Sequence, residues 1–243
     1  RQTMRAKTNR TLILCLLIAA GAAGFFLRRW QLSTAFDETG LVLSGSPSIW
    51  ILSVFALVVT VLAAVAAARL DKRSAYTDCF SSGAPEMAVT VLSAALVLAG
   101  CVLAMANGQR TALVTVLGVA AALAMGAVGL LRCRGVVPVA AVHLIPCAYL
   151  IVTLIVDFRR WSVDPTVLDY CFDLFAAIGT VCATVNLMGF CFDKGRRRET
   201  VFWCLAGCFF AMVSLGDMGV VRWLTTGGLA LWLGVNGWQL LED

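Results

Sequence analysis

The stretch from Ser48 to Leu70 reads SIWILSVFALVVTVLAAVAAARL, and its only charge is Arg69, next to the end. Asp71, Lys72 and Arg73 follow at once. An apolar run of this length matches the ~20 residues a helix needs to cross a bilayer's hydrocarbon core. Lipid offers no partner for free backbone N–H and C=O groups, so such a run must be helical. The same pattern, an apolar run with Lys and Arg gathered at one end, recurs along the chain.

Before it lies Thr11 to Leu27. After it come Met87 to Ala106, Thr111 to Leu131, Val136 to Val156, Leu168 to Phe192, Thr200 to Leu215 and Gly219 to Leu240. A tight Asn107-Gly108-Gln109-Arg110 turn joins the third run to the fourth. The fold class expected is all-α, a polytopic transmembrane helical bundle of eight spans. The seventh run is the shortest, so a re-entrant hairpin of the last two is the alternative. The first run begins like a secretory signal, but Arg28-Arg29 follows it in place of a cleavage motif, and it reads as a retained anchor.

Composition agrees. Of 243 residues, 60% are hydrophobic and 14% charged, with a mean hydropathy of +0.89. Soluble domains carry roughly 25% charged residues. The net charge of +5 comes from residues between apolar runs, with no basic stripe interleaved with aromatics, which excludes nucleic acid as a partner. If the runs alternate in direction, thirteen Lys and Arg fall on one side and six on the other. The positive-inside rule places the thirteen, and both chain ends, in the cytoplasm. Trp30, Trp50, Trp161 and Trp223 then mark the outer boundary and Trp203 and Trp238 the inner one, while Trp232 packs between helices. The ten cysteines fall mostly inside the runs and read as reduced, buried thiols rather than a disulfide framework.

The two halves, 1–134 and 135–243, echo each other in order within one membrane domain. Arg28-Arg29-Trp30 answers to Arg159-Arg160-Trp161, and Asp71-Lys72 to Asp193-Lys194. Leu98-Ala99-Gly100-Cys101 answers to Leu205-Ala206-Gly207-Cys208. The expected repeat is parallel, four spans plus four, as in some transporters. Gly118, Ala122 and Gly126 form one stripe of small residues, and Gly227, Ala230, Gly234 and Gly237 another. Small residues let helix backbones approach closely, and the two stripes are expected to meet near a pseudo-two-fold axis.

Few polar side chains lie inside the runs. His143, the only histidine, shares a face with Cys147 and precedes Pro146, where a kink is expected. A metal there would need two more ligands from other spans, and no motif supplies them. Asp169 and Asp173 lie four apart in the outer part of the sixth run. Asp173 is the deepest carboxylate and the best single candidate for function. Asn186 and Asn236 are expected to bond between helices. His143, Asp173, Asp169 and Asn186 make up the candidate intramembrane polar site, since ionisable groups in spans are costly and often functional. No catalytic, cofactor or metal-binding motif is present in the sequence: there is no P-loop, no His-Glu-x-x-His pair and no nucleophile elbow.

The segments Arg28-Arg29-Trp30-Gln31-Leu32 through Ala35-Phe36-Asp37-Glu38-Thr39-Gly40-Leu41, and Phe158-Arg159-Arg160-Trp161 through Leu168-Asp169-Tyr170-Cys171-Phe172, resemble uncharacterised multi-pass membrane proteins of anaerobic gut bacteria. That resemblance implies a bacterial cytoplasmic membrane and carries no activity. Two readings of function stay open. One is a transporter or channel for a small solute or ion. The other is a non-transporting sensor, assembly factor or partner subunit. Partners beyond the lipid bilayer would then be a solute, another membrane protein or a second copy. A membrane enzyme ranks third.

Overall fold

The structure is a computed structural model that describes residues 2–36, 43, 45–80, 83–161, 170–216 and 219–242. These residues form helices and no strand. They are α1 (Gln2–Thr34), α2 (Pro47–Ala68), α3 (Tyr76–Cys79), α4 (Ala84–Ala106), α5 (Ala112–Cys133), α6 (Ala140–Trp161), α7 (Cys171–Phe190), α8 (Arg197–Ser214) and α9 (Val220–Leu240). Six helices are long and apolar enough to cross a membrane: α1 from Arg10, α2, α4, α5, α6 and α7. The chain is an integral membrane protein.

The helix ends follow from local chemistry. Pro47 and Pro85 open α2 and α4, where a missing N–H costs nothing. The Gly83 N–H donates to the Glu86 carboxylate at 3.0 Å. Helix α4 ends with Gly108 in the left-handed region (φ 66°). The Gly108 N–H then bonds the Met105 carbonyl and the Gln109 N–H the Ala104 carbonyl. Gly135 (φ 68°) closes α5 in the same way. This is the Schellman arrangement, which satisfies carbonyls the helix leaves free. Helix α7 uses it too, but with Asp193 (φ 52°) in the glycine position.

Helices α4 to α9 form a closed ring. In order, α4 packs on α5, α5 on α6, α6 on α7, α7 on α8, α8 on α9 and α9 on α4. Helices α1 and α2 lie outside, against each other and against α8. Helices α8 and α9 are not among the six long enough and apolar enough to cross a membrane. Helix α8 is covered by α1, α2, α7 and α9, and two thirds of its residues are buried. At its start Arg197 is buried, and Arg198 and Glu199 are exposed. In contrast, α2 presents Ile51, Val54, Leu57, Val58, Val61, Leu62 and Val65 outward, the surface that lipid solvates. Trp232 is buried between helices, and Trp30, Trp50 and Trp223 are exposed.

Close backbone contacts fix the ring. A Cβ added at Gly179 would stand 2.7 Å from the Gly207 Cα, so α7 and α8 meet there backbone to backbone. A Cβ at Gly228 would lie 2.9 Å from the Ser93 carbonyl oxygen on α4. The expected stripes do not face each other, because α4 stands between α5 and α9. Gly118 lies against Cys101 and Tyr149, and Gly126 against Ala94. Ala122 is buried. On α9 the pressed glycine is Gly228; Gly227 has open space beside it, and Gly234 touches only Cys208. The paired glycines of the sequence echo differ in part in their surroundings: Gly100 packs on α9, whereas Gly207 packs on both α7 and Leu233 of α9.

Candidate functional site

The ring encloses a cavity of about 900 Å³, entered at the end where α4, α6 and α8 finish and α5, α7 and α9 begin. Its wall draws on all six ring helices, from Arg110, Asp157, Tyr170, Asp173 and Arg222 near the mouth to Cys101, Tyr149, Thr180 and Leu229 at the floor. Thr180 and Leu229 lie halfway along α7 and α9. At 1.5 Å per residue the floor is then ~14 Å below the helix starts.

Two ion pairs line this vestibule. Arg110, in the turn before α5, reaches both carboxylate oxygens of Asp157 in the last turns of α6, at 2.7 Å each. Burial draws the Arg110 pKa down, but the hydrogen bond and charge of Asp157 outweigh it and hold the guanidinium above its usual value. In the second pair, Arg222 Nη1 lies 2.8 Å from Asp173 Oδ2. Asp173 and Arg222 occupy the first turns of α7 and α9. A carboxylate is favoured at a helix N-terminus and a cation is not, so Asp173 is placed to hold an arginine that its own helix disfavours. At the floor the Tyr149 hydroxyl and the Cys101 thiol are 3.3 Å apart. The lining offers hydroxyls, a thiol, two cations and two anions, a surface that hydrogen-bonds a small polar solute and rejects none by net charge.

The structure does not bring the sequence-predicted polar residues together. Asp173 lies in the vestibule. His143 lies in the first turn of α6, at the opposite end. It is fully buried, with Nδ1 3.6 Å from the Cys191 Sγ. Asn186 donates to the Cys182 carbonyl of its own helix at 2.8 Å rather than across to a neighbour. Asp169 lies outside the described residues. Pro146 sits inside α6, which continues past it. Among the described residues no group of three potential metal ligands occurs.

The end around His143 is closed by arginines that sequence reasoning passed over as topology signals. Arg132 is buried. Its Nε donates to the Tyr76 hydroxyl at 2.6 Å, and its Nη1 to Asn236 Oδ1 and Gln239 Oε1 at 2.7 and 2.9 Å. The guanidinium lies 4.0 Å from the Phe80 ring centre. It thus reaches from α5 past α4 to α9 and holds the α2–α4 connection over the ring. Burial pushes the Tyr76 hydroxyl above its ordinary pKa, against the pull of Arg132. Arg197 donates to the Leu240 and Glu242 carbonyls at 2.7 Å each, and Arg198 to the Leu70 carbonyl at 2.6 Å. Arg10 pairs with Glu242, so both ends of the chain lie at this end of the bundle.

The Arg132 partners hold it in place but cancel none of its charge. Hydrogen bonds from a charged group are worth roughly 1.5–3 kcal/mol each. The C-termini of α5 and α9 add about 0.3–1 kcal/mol apiece. Burying an ion costs several kcal/mol, so the site depends on every one of these contacts.

No family model, no curated protein and no solved structure matches the chain.

Proposed function

We propose that this protein crosses a bacterial cytoplasmic membrane eight times, with α8 and α9 spanning as ring members, and that its vestibule admits a small polar solute or ion for transport. The observation that carries the reading is the polar cavity itself: it descends to the midpoints of α7 and α9 inside a ring of helices. Hydrogen-bonding side chains such as Tyr149 and Thr180 line its floor, and polar side chains within a span mark solute paths. The excess of Lys and Arg at the closed end supports a cytoplasmic position for that end and an outward-facing vestibule. The ordered echoes between 1–134 and 135–243 support a four-plus-four duplication of the chain, after which equivalent helices came to occupy different surroundings. Membership of the gut-bacterial group belongs to the same proposal and rests on the residues quoted above.

A second reading, a sensor or partner subunit that binds without transporting, is favoured by one observation: the arginine braces seal the far end of the ring. Flux measurements in proteoliposomes separate the two. Against a panel of small polar solutes and ions, Asp173→Asn and Arg222→Gln are expected to cut uptake at least tenfold, and His143→Ala to leave it near wild type. Saturable binding without uptake would favour the second reading. Neither binding nor uptake for any solute would end both.

A further inference from the structure

We propose that Arg132 is the core of a site for a small monatomic anion of the halide class, at the closed end of the ring. Every contact the guanidinium makes is with a neutral group: the Tyr76 hydroxyl, the Asn236 and Gln239 amide oxygens and the faces of Phe80 and Tyr76. Among the described residues no carboxylate lies within ion-pair distance of it. Its Nη2, buried from solvent, has no hydrogen-bond partner among the described residues. Proteins pair buried charges or pass them to a ligand, and each buried donor left without an acceptor calls for an explanation.

A second observation, from a different helix, points the same way. His143 on α6 is fully buried and within electrostatic reach of Arg132. Its Nδ1 faces the Cys191 thiol at 3.6 Å, and its Nε2 has no partner among the described residues. When the thiol donates to Nδ1, the neutral ring carries its proton on Nε2. A guanidinium N–H and an imidazole N–H at this end of the ring then both lack an acceptor among the described residues. The remaining groups there, Tyr76, Asn236 and Gln239, already serve Arg132 as acceptors. A monatomic anion supplies both the missing acceptor and the missing charge. A larger oxyanion would need room that the packing of Tyr76 and Phe80 on the guanidinium denies it.

The site does not require that the chain transports anything, so its test reads stability and not flux. Thermal unfolding of the purified full-length protein in detergent is measured in sodium chloride, in sodium bromide and in sodium gluconate of equal ionic strength. Wild type is expected to unfold about 3 °C higher in chloride or bromide than in gluconate, the shift from a ligand present at roughly ten times its Kd. Gln239→Glu gives Arg132 an internal carboxylate in the same shape. It is expected to remove the halide dependence while raising the unfolding temperature in gluconate. Arg132→Gln is expected to remove the dependence as well; if that variant does not fold, Gln239→Glu alone decides. Equal unfolding temperatures of wild type in all three salts would overturn the proposal. So would a halide shift that survives in Gln239→Glu, because the anion would then bind elsewhere.

Discussion

Arginines at the two ends of the six-helix ring have different partners. At the open end, Arg110 and Arg222 each meet a carboxylate on the wall, and the pairs leave about 900 Å³ between them. At the closed end, Arg132, Arg197 and Arg198 meet neutral acceptors and backbone carbonyls on other helices, and the ring is tied shut. A carboxylate partner satisfies an arginine locally and keeps it at the wall. A neutral acceptor leaves donors to spare, so one guanidinium can fasten several elements at once.

The contrast should break most visibly at Arg197. Its alanine variant leaves the Leu240 and Glu242 carbonyls without their charged donor, and at roughly 1.5–3 kcal/mol per such bond the loss comes to about 4 kcal/mol. Arg196→Ala, one residue away, removes only an exposed pair with Glu199 and should change stability by less than about 0.5 kcal/mol. Thermal unfolding of both variants in one detergent makes the comparison. Equal effects would show that the closed end is not held by its arginines.

Next in size is the helix contact beneath the vestibule. A Cβ at Gly179 meets the Gly207 backbone, which has no side chain to move aside. Gly179→Ala should cost about 2 kcal/mol by forcing α7 from α8. Gly227→Ala, into open space, should be neutral or gain up to about 1 kcal/mol from helix propensity. A neutral Gly179→Ala would mean that the α7–α8 crossing is looser than drawn.

Much of this arrangement was legible in the residues. Long apolar runs located the long helices among the described residues, six of which are long and apolar enough to cross a membrane. Alternating direction was expected to bring the two chain ends to one side, and Arg10 does meet Glu242. Asp173 was visible as the deepest carboxylate. The vestibule as a whole was not, because it depends on which helices are neighbours, and apolar runs do not encode ring order. One signal was available and unused. Among the basic residues on the sparse side of the positive-inside count, Arg110 and Arg222 are answered by Asp157 and Asp173. An arginine on that side with an aspartate to pair with is better read as part of a site than as noise in the topology. Arg132 was hidden for the converse reason: it sits among the topology-setting cations, and only its neighbours on α3 and α9 set it apart.

A smaller effect, in rate rather than stability, tests the closed end by its thiols. Cys133 is exposed, and Cys79 is buried, with burial pushing its thiol above the ordinary pKa. In single-cysteine variants a membrane-impermeant maleimide should label Cys133 at least about tenfold faster than Cys79 at pH 7.5, since the thiolate is the reactive form. The Cys79 rate should still be climbing beyond pH 9. The sign for stability follows. The folded pKa lies above the unfolded one, so the contribution is whole below pH 9 and is lost as pH rises through the folded value. Labelling of Cys133 from the outer face of intact cells would reverse the proposed orientation.

The smallest expected effect concerns how the helices turn their corners. Gly108 and Gly135 end α4 and α5 in the left-handed region at no steric cost, whereas α7 places Asp193 there with φ 52°. Aspartate tolerates that region better than most residues, yet it still carries a Cβ that crowds the backbone. Asp193→Gly keeps the Schellman bonds from the Asp193 and Lys194 amides to the Phe190 and Gly189 carbonyls and removes the crowding. Glycine also gives the unfolded chain more freedom to lose, so the net gain should be only about 0.5 kcal/mol. A loss of stability in place of this gain would mean that the Asp193 carboxylate is itself engaged with the basic residues around it. The closed end would then hold a further acid–base pair beside Arg10–Glu242 and Arg196–Glu199.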